Sequence, residues 1–450
     1  MKQLYLLAAC LILYANTSSA QQKQTSTAPY SFSLADCINY AYEHQDSVKN
    51  AQLDLKNADY KVSELIGQGL PQINGSASFQ DYLQIPVTLI PGEFFGQPGT
   101  FVPLKFGVKY QSSFGATLDQ KLFDPSYLIS LKNRGIYKEL FSKSLTRTKI
   151  QTNVSVTKAY YQVLVSNEQI KLLDANITQL KQQLDQTSEQ NKQGFVEKID
   201  VDRLSVSYNN LVTNRENVVR SLVLNYELLK FQMGMPIKLD LVLTDKLEDV
   251  KLNKFDETAA SADTSFYKNR IEYGLLQTNE HLNAIDVKRK KSMFLPTVSA
   301  FGSISSVYQD NTFSNLYSAN FPTSYIGLKL SIPIFTGFQR SYQIKEAQIT
   351  LQKSQNDLED AKNAFSLQAS VARTTYLNGL QSLENQKRNQ QLARDVLRVA
   401  KIKYQQGVGS SIEVTQAQTE LETADNQYIQ SLYDALISKV DMDKAYGKIN

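Results

Sequence analysis

Residues 106–123 read Phe-Gly-Val-Lys-Tyr-Gln-Ser-Ser-Phe-Gly-Ala-Thr-Leu-Asp-Gln-Lys-Leu-Phe. In an extended chain Phe106, Val108, Tyr110, Phe114, Ala116, Leu118 and Leu122 fall on one side, and Lys109, Gln111, Ser113, Thr117, Asp119 and Lys121 on the other. Alternation sustained over this length is the pattern of a strand that crosses a membrane, with lipid on one face and a wet lumen on the other. A strand of a soluble sandwich has the same period, but the polar face here offers nothing to a second packed layer. Tyr and Phe supply the interfacial girdle in a chain that has no Trp.

Working outward, Ile73, Gly75, Ala77, Phe79 and Leu83 alternate with Gln72, Asn74, Ser76, Ser78 and Gln80, which predicts a second such strand. A loop rich in Pro and Gly, from Ile85 to about Lys105, separates the two. Before them a helix begins at Ser33 as N-cap, with Asp36 in its first turn, and carries a narrow stripe of Leu34, Ile38, Ala41, Val48, Leu55, Val62 and Ile66 as far as Gly67–Pro71. After them helical periodicity runs from about Ser126 to Gln193 with Gly135 as its only glycine, roughly 100 Å of helix at 1.5 Å per residue. Gln193-Gly194-Phe195-Val196 breaks it, and a further helix ends at Gly234-Met235-Pro236. A mixed segment from Ile237 to about Asp263, with Leu239, Leu241 and Leu243 alternating, leads to a helix over Thr264–Met293.

The order of events then repeats. Leu295-Pro296-Thr297-Val298 answers Leu70-Pro71-Gln72-Ile73, and Ile326, Leu328, Leu330, Ile332 and Ile334 alternate with Gly327, Lys329 and Ser331. A long helix over about Arg340–Gln406 follows, and Gly407 stands 213 residues after Gly194. That offset pairs Ile199, Asp200 and Val201 with Ile412, Glu413 and Val414, and Gly234 with Gly447. In the last helix Val414, Ala417, Leu421, Ala424, Tyr428, Ser431, Ala435, Ser438, Met442 and Ala445 keep the 3,4 spacing of a coiled-coil seam, and their small size lets helices approach closely. The expected organisation is a signal peptide over 1–20, a first repeat over 21–263 and a second over 264–450.

Composition narrows the functions. Glycine and proline are scarce at 19 and 11 residues, which favours long helices over a loop-rich fold. The 48 basic and 44 acidic residues are spread along the chain, so no basic footprint for nucleic acid exists. Lys2, the apolar run Leu4–Tyr14 and the small residues Thr17–Ala20 read as an export signal cut before Gln21. Leu7-Ala8-Ala9-Cys10 also fits a lipoprotein box, although cleavage there would cut the apolar run in its middle. Cleavage at Ala20 leaves Cys37 as the one cysteine, read as a small packed helix residue. His44 and His281 are isolated and read as helix-surface residues, and neither a nucleophile elbow nor a phosphate loop occurs, so catalysis finds no support and no cofactor is implied. Lys288-Arg289-Lys290-Lys291, just before a strand, suits the phosphate-bearing inner face of a membrane or an acidic partner.

Four strands cannot close a barrel, and open edges in lipid leave backbone groups unpaired at several kcal/mol each. Two copies would give eight strands, with an interior that side chains fill, and three copies twelve, wide enough for a channel.

The paired repeats, the switches at Leu70-Pro71 and Leu295-Pro296, and the turns Gln193–Val201 and Tyr404–Val414 resemble the TolC family of outer-membrane efflux proteins over about Phe32–Gly447. The resemblance implies a homotrimer, with a twelve-stranded β-barrel in the outer membrane above a long α-helical coiled-coil barrel in the periplasm. It implies a passive exit duct that docks, at its tip, onto a periplasmic adaptor joined to an inner-membrane transporter. The exit of a type I protein secretion system and a non-conducting stalk are the alternatives. By the same resemblance Asp200, Glu413 and Tyr404 belong to the periplasmic gate, Tyr404 as hydrogen-bond partner of Asp200. Gly194, Phe195, Val196, Gly407, Val408 and Gly409 form the docking tip. Gly409 stands where the best-known member has an arginine, and Gln416 where it has a second gate carboxylate, so a clasp using that arginine is absent here.

Overall fold

The computed structural model describes residues 30–247, 250, 252 and 266–449. The expected signal peptide, with Cys10, lies outside the described residues, as does most of the mixed segment after Leu247.

Three elements precede the first long strand. β1 (Tyr30–Phe32) is a short strand, and α1 (Leu34–His44) is capped by Ser33, whose hydroxyl accepts from the Asp36 N–H while the Asp36 carboxylate accepts from the Ser33 N–H. The single helix expected here is two: the backbone turns extended at Gln45 and restarts as α2 (Asp46–Gly67). β2 (Gln72–Asp81) follows, then a ribbon of β3 (Val87–Pro91) and β4 (Phe101–Lys105), then β5 (Tyr110–Phe123).

The ribbon replaces the expected loop, and its pairing explains how. Gly92 N–H donates to Thr100 O, so in antiparallel alternation the next pair, Pro91 and Phe101, is not hydrogen-bonded, and neither is Leu89 with Pro103. Both prolines therefore sit where a missing N–H costs nothing. Leu83 and Phe106, assigned above to the membrane strands, belong to the bend between the sheet and this ribbon.

The long helix is also two, α3 (Pro125–Lys132) and α4 (Arg134–Lys192), with the break at Asn133 rather than at Gly135. α5 (Lys198–Met233) returns to the level of β1, where β6 (Leu241–Leu243) pairs with β1 in parallel. The second half comprises α6 (Ile271–Ser292), β7 (Thr297–Asp310), β8 (Phe321–Ser331), α7 (Gln339–Gln405) and α8 (Ser411–Ala445). Ile332 and Ile334 lie past the end of β8.

The four long strands form one antiparallel sheet in the order β2-β5-β7-β8. Its register aligns residues of like polarity across all four strands. Asn74, Thr117, Ser303 and Tyr325 make one row, and Ser76, Gly115, Ser305 and Thr323 the next on the same face. Ile73, Leu118, Gly302 and Ile326 make a row on the opposite face. One surface is thus mostly polar and the other mostly apolar, as the alternation predicted, with Phe301 and Val307 of β7 and Phe321 of β8 as the apolar residues on the polar side. β2 and β8 are the edges, each with one side unpaired.

Below the sheet α4 packs first against α2 and α6, tied by Lys138 to Asp59 at 2.8 Å and by Lys143 to Thr278 at 2.8 Å. Further along it pairs with α5 through Leu173, Leu180, Leu204 and Leu211, a heptad seam in which each buried leucine contributes about 1.5–3 kcal/mol. The seam expected on α8 is buried from Val414 to Ala445, with Tyr428 half-buried. Its small residues admit Gly379 of α7 against the Ala435 backbone.

A core at the β1/β6 level joins Cys37, Ala41, Val156, Tyr160, Val163, Leu229 and Met233. Burial pushes the Cys37 thiol up to about 12. Asp245 closes this core by accepting from Leu34 N–H and from the Tyr160 hydroxyl, each at 2.9 Å. His281 is exposed as expected, whereas His44 is half-buried, stacked on Tyr40 with its Nδ1 3.0 Å from Tyr40 O. Between α4, α7 and α8 the buried Asp425 carboxylate accepts from Asn176 Nδ2 and Gln390 Nε2, both at 2.7 Å.

The repeat is visible in backbone conformation. Gly194 and Gly407 have φ of 81° and 75°, and Gly234 and Gly447 of 70° and 65°.

Two stability predictions follow from these contacts. Gly234→Ala brings a Cβ to 2.7 Å from both Gln45 Cα and His44 O, whereas Gly194→Ala meets open space and bears only the left-handed backbone strain of about 1–2 kcal/mol. Thermal unfolding followed by helical circular dichroism is expected to show a clearly larger loss for Gly234→Ala. Asp425→Ala strands two buried amide donors and is expected to cost about 1–3 kcal/mol for each donor left unpaired, measured the same way.

Candidate functional site: the helical tip

Both turns at the far end of the helices close in the same way. At the first, Phe195 N–H donates to Gln190 O at 3.0 Å and Gly194 N–H to Asn191 O at 2.9 Å. At the second, Val408 N–H donates to Lys403 O and Gly407 N–H to Tyr404 O, both at 3.0 Å. This glycine-dependent C-cap satisfies the last carbonyls of α4 and α7 and turns the chain sharply. It also throws the residue after each glycine outward: Phe195 and Val408 are both 77% exposed. Two matching apolar knobs therefore mark the tip, flanked by Val196 and Gly409. Asn191 Nδ2 donates to Val196 O at 2.8 Å and stiffens the first turn. A Cβ at Gly409 would lie 2.9 Å from Lys403 Cβ, so the residue type that departs from the family pattern also fits the tighter second turn.

The returning helices place the carboxylates differently. Asp200 is half-buried, accepts from the Ser411 hydroxyl at the start of α8, and has Arg203 at 3.7 Å. It thereby joins the two repeats at the tip. Tyr404 does not hydrogen-bond Asp200 as the family pattern implied. Its hydroxyl is buried beside the Thr187 side chain, and burial together with the Asp200 charge raises its pKa. The hydroxyl that Asp200 accepts from is that of Ser411, at the start of the neighbouring helix.

Glu413 is exposed, its backbone N–H capped by Ser410 Oγ at 3.2 Å, in the first turn of α8 where the helix dipole favours a negative charge. It lines a groove of about 490 Å³ between α7 and α8, with Lys403, Gln416 and Glu420. Gln416 Nε2 donates to Glu420 Oε1 at 3.2 Å. The position that lacks a carboxylate thus holds another one a helical turn away. Glu420 was not singled out in the sequence; its spacing of seven from Glu413 was the available signal.

The apolar side chains Leu392, Val396 and Val399 of α7 and Val206, Val223 and Leu224 of α5 have exposed faces. At the other end of the helices, Arg289 of the basic run is bonded to Asp286 at 2.6 Å and shares with Lys61 and Arg134 a groove of about 410 Å³. Among the described residues no cluster of His, Cys, Asp and Glu could hold a metal ion, and no helix is long and apolar enough to cross a membrane.

Comparison with known proteins places this geometry. Residues 279–448 match the family model described as outer membrane efflux protein. The outer membrane protein TolC of Salmonella enteritidis is 23% identical over 359 residues, covering 76% of this chain and 70% of that one. The probable efflux pump outer membrane protein TtgC of Pseudomonas putida is 23% identical over 352 residues, covering 75% and 69%. Among solved structures, CusC superposes with a TM-score of 0.76 at 15% identity, covering 92% of this chain and 91% of that one. By the match of residues 279–448 and the fold of its described residues, this chain is similar to the TolC-like outer membrane efflux proteins.

Proposed function

We propose that three copies of this chain close into a passive exit duct of a tripartite efflux pump. Each copy contributes four strands to a twelve-stranded barrel and its helices to a periplasmic tunnel. The observation that carries this reading is the sheet itself: four strands, one mostly polar face, and unpaired edges on β2 and β8. Unpaired edge groups are untenable in lipid, so the edges must meet the edges of other copies. The polar face is built largely of glycine, serine and threonine, with Phe301 and Tyr325 among its large side chains, and a ring of twelve strands is wide enough to stay open around them. The exposed apolar faces of α5 and α7 supply surface for contacts between copies along the tunnel.

The two repeats, 21–263 and 264–450, then alternate around the axis. Asp200, Glu413 and Tyr404 form the periplasmic constriction, where three copies of Glu413 attract cations and resist collapse of the ring. Gly194, Phe195 and Val196, with Gly407, Val408 and Gly409, present the knobs on which a periplasmic adaptor docks. An inner-membrane transporter supplies energy and chooses the small-molecule cargo.

Planar-bilayer recording of the purified oligomer tests the proposal. Wild type is expected to give small cation-selective channels, and Glu413→Ala to lose much of that selectivity without losing conductance. A folded three-chain particle that never conducts overturns the duct, and selectivity that survives the substitution removes Glu413 from the constriction.

A further inference from the structure

We propose that the β3–β4 ribbons of three copies pack against one another over the extracellular mouth of the barrel and form an apolar outer constriction. The inference rests on the twelve-stranded assembly proposed above, and its starting point is a hairpin with the wrong surface for water. The ribbon continues the β2–β5 pair past Asp81 and Tyr110, with Tyr82 N–H still bonded to Lys109 O at 2.8 Å. Gly107, at φ 124°, then bends it. One face carries Val87, Leu89 and Phe101, all more than half exposed, and Phe94 at the turn is 79% exposed. Among the described residues of a single chain nothing covers that face.

Charge and geometry choose the occupant. From Tyr82 to Leu104 the only charged residue is Glu93, and Lys105, the last residue of β4, stands opposite Val87 at the base of the ribbon. A segment resting on the anionic headgroups of a membrane surface needs a cluster of lysine and arginine, which one lysine at the base does not supply. A second copy needs only apolar surface, which both ribbons have. β2 is an edge strand, so its hairpin rises at the seam between copies and is continuous with their contact. Twelve strands spaced ~4.8 Å apart and tilted ~40° enclose a ring of roughly 12 Å radius. Five paired residues in each strand of the ribbon span about 17 Å, so ribbons bent inward meet on the axis. Phenylalanine and leucine at such a meeting point would exclude water and ions by dewetting, and would part when cargo pushes from within.

Two measurements on the full-length protein in intact cells test this. The first is oxidation of Phe94→Cys, which is expected to link chains in pairs, while wild type, with Cys37 buried, stays unlinked. The second reads access from outside without involving the periplasmic gate. Ser113→Cys, on the polar face of the sheet, is expected to react slowly with a bulky maleimide added to cells, and severalfold faster when Leu89→Ser and Phe101→Ser are added. An intact three-chain assembly with no linked chains and equal labelling rates overturns the constriction, and would leave the ribbon turned toward lipid. Absence of a three-chain assembly in wild type would instead overturn the duct on which it rests.

Discussion

The structure depends on the unpaired edges of a four-stranded sheet. In water such edges are an aggregation hazard, and in lipid each orphaned N–H and C=O costs several kcal/mol. β2 and β8 are the outer strands, and β2 is exposed along its whole length. A chain that puts this sheet into a membrane commits itself to assembly, and the rest follows from that commitment. In the proposed closed assembly the polar rows of Asn74, Thr117 and Ser303 face the interior, because only one face of a closed sheet can meet lipid.

Duplication supplies the second half of the design without making it symmetric. The glycine pairs keep matching left-handed conformations, and the two tip turns keep the same hydrogen bonds, so the scaffold is repeated faithfully. The chemistry placed on it is not. Asp200 is held by Ser411 and Arg203, whereas its counterpart Glu413 is exposed beside Lys403 and Glu420. One carboxylate fastens the repeats together at the tip, and the other is left exposed on its surface.

Most of the architecture was legible because long elements repeat their period many times. The strand over 110–123, predicted four residues longer at its start, and the α8 seam needed only alternation and the 3,4 rule, and every residue named on that seam is buried or half-buried. Single-residue events were not legible. The breaks at Gln45 and Asn133 carry no glycine or proline, and the first is tied to a distant contact with Gly234. The ribbon was hidden by its prolines, which mark a loop unless one knows that they fall at non-hydrogen-bonded pairs. At the tip the family pattern located the carboxylates but not their partners. Asp200 accepts from Ser411 rather than from Tyr404, a contact between residues 211 positions apart that no local period reports.

The central claim is that the open sheet closes with two other copies. Native mass spectrometry of the particle extracted from membranes counts the chains directly. Three chains per particle are predicted. A membrane-inserted particle of one chain, or of two chains with eight strands, would contradict the account, because the edges would then have been satisfied in a way this fold does not provide.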